Sequence, residues 1–161
     1  MTGSLRFTAA FAAAITGAAC GGPLTPSPVE GEPVCPDFEL GATRTKMRGS
    51  LRYPVQVTVL EGDKVLSKAT LYGLREPGAA PSRALVPDDT GEYEVRWAQC
   101  TNERAPRPEG RGPEGKDPTT YECGEGPVYK TEQITTKAGD PASRKLTFVP
   151  PPRAECWVSD T

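Results

Sequence analysis

From Glu92 to Gln99 the chain alternates without a break, with Tyr93, Val95 and Trp97 on one face and Glu92, Glu94 and Arg96 on the other. Side chains of an extended strand point to opposite sides with a period of two. This stretch therefore predicts a strand with one face in a core and the other in water. Trp97 is the expected anchor of that core. The same period recurs at Val55–Val59, where Gln56 and Thr58 separate three valines. Glu61-Gly62-Asp63 then turns the chain into a strand over Lys64–Tyr72, and Pro77-Gly78 breaks it again. Further strands are predicted over Ser82–Val86, Val128–Thr135, Arg144–Val149 and Cys156–Val158, with Pro87-Asp88-Asp89-Thr90-Gly91 as an intervening turn. No convincing helical period follows residue 20. About seven short strands separated by turns predict an all-β fold, a single sandwich.

Three segments within residues 46–97 go further: Met47-Arg48-Gly49-Ser50-Leu51, the Val55–Val59 strand, and Asp89-Thr90-Gly91-Glu92-Tyr93-Glu94-Val95. Counted from Asp88, the last contains the pattern Asp-x-x-Gly-x-Tyr. This part of the chain resembles the carboxypeptidase regulatory-like and transthyretin-like sandwich modules, in which the glycine serves a turn and the tyrosine packs into the sandwich. The resemblance covers about a third of the chain. It implies an Ig-like or transthyretin-like β-sandwich and a non-catalytic accessory or adhesive role.

The chain has 161 residues with 18 prolines, 17 glycines and a 36% hydrophobic fraction, a turn-rich composition with a modest core. Residues 35–161 suffice for one ordinary domain, typically about 100–150 residues, and not for two. The formal net charge is −2, without the basic excess of a general nucleic-acid binder. Histidine is absent altogether. That excludes Ser-His-Asp and Cys-His catalysis, His-ligated haem and the usual zinc sites. Cys-x-x-Cys, Gly-x-Ser-x-Gly, Ser-x-x-Lys and phosphate-binding glycine loops are missing too. No catalytic residue, cofactor or metal is assigned. The aspartates of the turn, Asp88 and Asp89, with Glu92, offer hard oxygen ligands of the kind calcium takes, but Asp is common in turns because it caps them.

The N-terminus carries an address. Arg6 precedes an Ala-rich apolar run, Phe7–Ala19, which ends in the small residues Gly17, Ala18 and Ala19 directly before Cys20. A charged start, an apolar centre and a small-residue cleavage site are the parts of a signal peptide. The run is too short and too poor in large apolar residues to span a bilayer, which takes about 20 of them. Gly17-Ala18-Ala19-Cys20 resembles the lipobox of bacterial lipoproteins, with Gly17 where a branched aliphatic is usual. The resemblance implies cleavage after Ala19 and lipid on Cys20. Five cysteines are present: Cys20, Cys35, Cys100, Cys123 and Cys156. Lipidating Cys20 leaves four, enough for two disulfides in an oxidising compartment. Loop logic favours Cys100 with Cys123 and Cys35 with Cys156, although four cysteines allow three connectivities. Residues 20–34 contain Pro23, Pro26, Pro28 and Pro33 and are expected to form an extended stalk behind the lipidated cysteine. The domain proper is expected over 35–161.

Two features are candidates for contact. Arg44, Lys46, Arg48 and Arg52 recur at a spacing of two with only Ser50 interrupting. On one strand they would share a face, suited to phosphates, acidic glycans or an acidic protein, or serving only to guard a sheet edge. Residues 101–122 are proline, glycine and charge with nothing large and apolar before Tyr121, a surface insertion that a Cys100–Cys123 bridge would tether. The expected function is that of a non-enzymatic, lipid-anchored cell-envelope protein at the outer membrane, an interaction or structural component. The alternative is a lipoprotein that binds a carbohydrate or envelope polymer. Expected partners are the membrane, through lipid on Cys20, and an envelope protein or polymer; no nucleic acid is expected.

Overall fold

A computed structural model describes residues 22–35, 38–40, 45–47, 49–73, 81–103 and 122–158. Cys20, the residues before it, Arg44, Arg48 and most of the 101–122 insertion lie outside the described residues. The described chain is all-β, with one 3-10 turn, Pro141–Arg144, and no α-helix. Eleven strands run in order: β1 (Leu24–Glu30), β2 (Phe38–Leu40), β3 (Thr45–Met47), β4 (Gly49–Leu51), β5 (Val55–Glu61), β6 (Lys64–Leu71), β7 (Arg83–Pro87), β8 (Gly91–Gln99), β9 (Val128–Thr136), β10 (Leu146–Thr147) and β11 (Cys156–Val158). They form a small β-sandwich. One sheet has the order β6-β5-β8-β9 and the other β10-β1-β7, with two-stranded ribbons β2-β3 and β4-β11 beside them.

The alternating stretches behave as their pattern predicts. Val55, Val57 and Val59 of β5 and Tyr93, Val95 and Trp97 of β8 are buried, and the two strands pair antiparallel with Val57 opposite Trp97. Across the sandwich they meet Val29, Ala84, Val86 and Leu146 from the three-stranded sheet. Trp97 is fully buried, and the Phe148 ring stands edge-on to it at 5.8 Å. Its indole N–H donates to Glu132 Oε1 at 2.9 Å, so the largest core residue also keeps its one polar group paired. The strand expected over Arg144–Val149 is shorter than its pattern suggests. Asp140 caps the 3-10 turn by accepting from the Ala142 amide, which delays the strand to Leu146.

The segment read as a stalk is not one. Residues 24–30 form β1, which pairs antiparallel with β7 from Leu24 to Pro28 and parallel with β10 at Val29 and Glu30. The sandwich therefore includes residues 24–30, ahead of the boundary expected at Cys35. The proline density that argues for extension is tolerated because of its parity. The Val29 amide donates to Ser82 O, and Pro23 O accepts from the Asp88 amide, so the odd positions of β1 face β7. Pro26 and Pro28 are even positions and point their missing N–H groups to the other side. On that side β10 pairs only from Val29 onward. The same parity buries Ser27 and Val29 and leaves Leu24, Pro26 and Glu30 exposed.

Candidate functional site

Both disulfides gather at one end of the sandwich. Cys100 leaves β8, donates its amide to Pro54 O at 2.8 Å and bridges to Cys123. Cys35 leaves β1, donates to Gly73 O at 2.9 Å and bridges to Cys156 of β11. These are the two pairings expected from the sequence. The second bridge pins the exit of β1, where a stalk had been expected, to the C-terminal strand.

The first bridge closes the base of the 101–122 insertion. Beside it the Thr101 amide donates to Gly124 O at 3.1 Å. Asn102 adds two bonds, its side-chain amide to Glu122 O at 2.9 Å and its Oδ1 from the Gly124 amide at 2.6 Å. The neck of the insertion is thus fixed to the sandwich covalently and by hydrogen bonds, a rigid mount for a polar loop.

Beside this neck lies an open depression of about 500 Å³, lined among others by Arg52, Tyr53, Gln99, Thr101, Arg153 and Glu155. Arg52 is its central group. The Arg52 amide donates to Glu155 O at 2.8 Å, which fixes the backbone just past β4. Its guanidinium donates from Nε at 2.9 Å and Nη2 at 2.6 Å to Glu103 Oε1, with Glu155 Oε2 3.7 Å from Nη1. The guanidinium also lies over the Tyr53 ring at 5.7 Å, and the Tyr53 hydroxyl donates to Glu103 Oε1 at 3.3 Å. The hydrogen bond from Arg52 to Glu103, then the charge of that carboxylate, hold the guanidinium even further above its already high ordinary value. Among the described residues around the depression, Arg52 and Arg153 balance Glu103 and Glu155. The depression offers oriented donors, one aromatic face and acceptors.

Lys46 and Arg52, two of the four cations read as one stripe, do not share a strand. Lys46 belongs to β3, which pairs with β2, whereas Arg52 follows β4, which pairs with β11. Arg52 sits in a bend beyond the strand's end, so the spacing of two stops short of it. Arg44 and Arg48 lie outside the described residues.

The opposite end holds the aspartates of the turn, and protein donors occupy both. Asp88 Oδ1 accepts from the Gly139 amide at 2.9 Å and forms an ion pair with Arg144, whose side chain is buried. Asp89 accepts the Tyr93 hydroxyl at 2.5 Å and the Gly22 amide at 2.7 Å. The bond from Tyr93, followed by that from Gly22, holds the Asp89 carboxyl below the usual carboxylate range. Burial first, then Asp89, push the Tyr93 phenol up. Glu92 is exposed on the outer face of β8. Among the described residues no cluster of three or more His, Cys, Asp or Glu is placed to hold a metal ion.

The Asp89 latch and the Arg52–Glu103 pair were not legible as partnerships, since 67 residues separate Gly22 from Asp89 and 51 separate Arg52 from Glu103. Compared with known proteins, the chain matches no family model, no curated protein and no solved structure. Its assignment as a β-sandwich rests on its own strand pairing and core.

Proposed function

We propose that this chain is a non-enzymatic, lipid-anchored protein of the cell envelope, exported by residues 1–19 and fastened to the outer membrane by lipid on Cys20. It works as an interaction or structural component, and its contact surface is the disulfide-bearing end with Arg52, Tyr53 and the 101–122 insertion. One observation carries the reading. Cys35 with Cys156 and Cys100 with Cys123 account for four of the five cysteines, so Cys20 has no cysteine partner in the chain. An exported chain with an odd cysteine after Gly17-Ala18-Ala19 has a ready use for it in lipid attachment. Two bridges also suit an oxidising compartment outside the cytoplasm. The absence of histidine and the mutual pairing of the charges around Arg52 support recognition over catalysis.

The test is the intact mass of the protein extracted from bacterial membranes, with and without reduction and alkylation. The expected species starts at Cys20, is heavier by a diacylglycerol and an acyl chain, and takes up alkyl labels only after reduction. A soluble species with a free Cys20 thiol overturns the anchored reading.

The half-exposed Tyr53 beside Arg52 and Gln99 favours one second reading, a binder of an envelope polymer, because a ring and oriented donors in one depression suit a sugar face. Tyr53→Ala is then expected to abolish retention on cell-wall glycan while leaving the fold intact; unchanged retention removes this reading.

A further inference from the structure

The first described residue is locked into the fold. The Gly22 amide donates to Asp89 Oδ2 at 2.7 Å, Pro23 O accepts the Asp88 amide at 2.9 Å, and β1 pairs with β7 from Leu24 onward. The fit at Gly22 is close. A Cβ there would stand 2.8 Å from Asp89 Cβ and 2.9 Å from Asp88 O, so the chain passes where only glycine has room. Between Gly22 and Cys20 there is a single residue, and two residues reach at most about 7 Å. A lipid on Cys20 must therefore leave the domain at the end built from Gly22, the 88–90 turn and the 137–139 turn.

The other end follows from the register. β8 starts at this end with Gly91 opposite Thr136 and finishes at Gln99 opposite Val55. At about 3.4 Å per residue its nine residues span roughly 27 Å. Gln99 and Thr101 line the depression around Arg52, and Cys100 between them carries the mount of the insertion.

Resting on the reading that Cys20 carries lipid, we infer that the Gly22–Asp88–Asp89 end of the sandwich lies against the lipid surface. The sandwich itself, in place of a stalk, holds the Arg52 depression and the base of the 101–122 insertion about 27 Å out. The short tether sets this orientation, not charge. Among the described residues at the lipid-facing end, the exposed Lys64 and Lys137 meet the exposed Asp63 and Glu92, and the half-buried Glu61, Asp89 and Asp140 leave no basic excess to draw this end to anionic lipid. The orientation is therefore expected to form on uncharged lipid and to persist in added salt.

The test uses the full chain made in bacteria, extracted and reconstituted into nanodiscs of phosphatidylethanolamine and phosphatidylglycerol that contain a headgroup spin-labelled lipid. Amide signals of Gly62, Ala138 and Gly139 are expected to be lost, while those of Thr101, Asn102 and Ala154 stay sharp. A second form carries an insert of about ten Gly and Ser residues before Gly22, with a root-mean-square reach of roughly 18 Å. It is expected to lose the contrast between the two ends. The mass of the same sample separates the failures. An unmodified Cys20 overturns the anchored reading and this inference with it. A lipidated chain with equal broadening at both ends, or an insert that changes nothing, overturns the orientation alone.

Discussion

The Tyr93 hydroxyl donates to Oδ1 of Asp89 at 2.5 Å, four residues back along the chain, and closes the turn that feeds β8. Gly91 lies beneath the ring. A Cβ there would stand 2.9 Å from the hydroxyl and 3.0 Å from the ring edge, so a larger residue would push the tyrosine off its acceptor. The other oxygen of Asp89 holds the Gly22 amide, and the Thr136 hydroxyl donates to Asp89 O at 2.7 Å. Asp89 thus ties together the entry to β1, the start of β8 and, through its backbone, the end of β9.

Removing the hydroxyl tests the tie. Tyr93→Phe is expected to cost about 1.5–3 kcal/mol, the range for a hydrogen bond to a charged group, read as a lower urea midpoint. Asp89 is held below its ordinary value by this bond, so its contribution is complete above the usual carboxylate range and is lost as pH falls through the folded value. The wild-type chain should therefore lose more stability between neutral pH and about pH 3 than Tyr93→Phe does. Equal acid sensitivity of the two would show that Asp89 does not depend on Tyr93.

Alkali works through the phenols. Burial raises Tyr93 and Tyr129, and the Tyr129 hydroxyl donates to Val149 O at 2.7 Å. Each is protonated in the folded state where the unfolded chain already loses its proton. Their contribution is complete below the ordinary tyrosine value of about 10 and is lost as pH rises above it. Ultraviolet titration is expected to show these two tyrosines ionising together with loss of the fold. Their ionisation below pH 10 in an intact fold would contradict the burial of the Tyr93 ring and the partial burial of the Tyr129 ring.

Ser50 gives a prediction of the opposite sign. It is fully buried in β4, and its hydroxyl finds no hydrogen-bond partner among the described residues. A buried hydroxyl without a partner costs about 1–3 kcal/mol, so Ser50→Ala should stabilise the chain by about 1 kcal/mol. Thermal melts decide it, and a destabilised variant would mean that the hydroxyl is bonded after all.

What could be read from the chain follows from how locally each element is encoded. β5 and β8 carry their burial as a period of two, so Trp97 is legible as a core residue. The two bridges follow from cysteine count and loop length. β1 is hidden because proline density argues against any strand, and the telling signal is parity: Pro26 and Pro28 share the side where β10 pairs only beyond them. β10 pairs with β1 through two residues, too few for any pattern. The Arg52 site escapes for another reason. Its partners Glu103 and Glu155 come from distant loops, so the cation was legible as part of a stripe but not as the centre of a pair network.

The two bridges should differ in weight. Cys35 and Cys156 are 121 residues apart, Cys100 and Cys123 only 23. If a bridge acts by restricting the unfolded chain, the longer loop is worth about 5 kcal/mol and the shorter about 3 kcal/mol. Location sharpens the contrast. Cys35–Cys156 joins the exit of β1 to β11, so without it the N-terminal strand and the C-terminal ribbon are held by non-covalent contacts alone. Cys100–Cys123 closes a neck that Thr101 and Asn102 also hold. Cys35→Ala with Cys156→Ala is therefore expected to lower the denaturation midpoint more than Cys100→Ala with Cys123→Ala, followed by circular dichroism under identical conditions. Limited proteolysis separates the roles further. The second pair of substitutions should expose the insertion to cleavage while the sandwich stays resistant, and the first should open the whole chain. A larger stability loss from the Cys100–Cys123 pair would place the stabilising role at the insertion's neck.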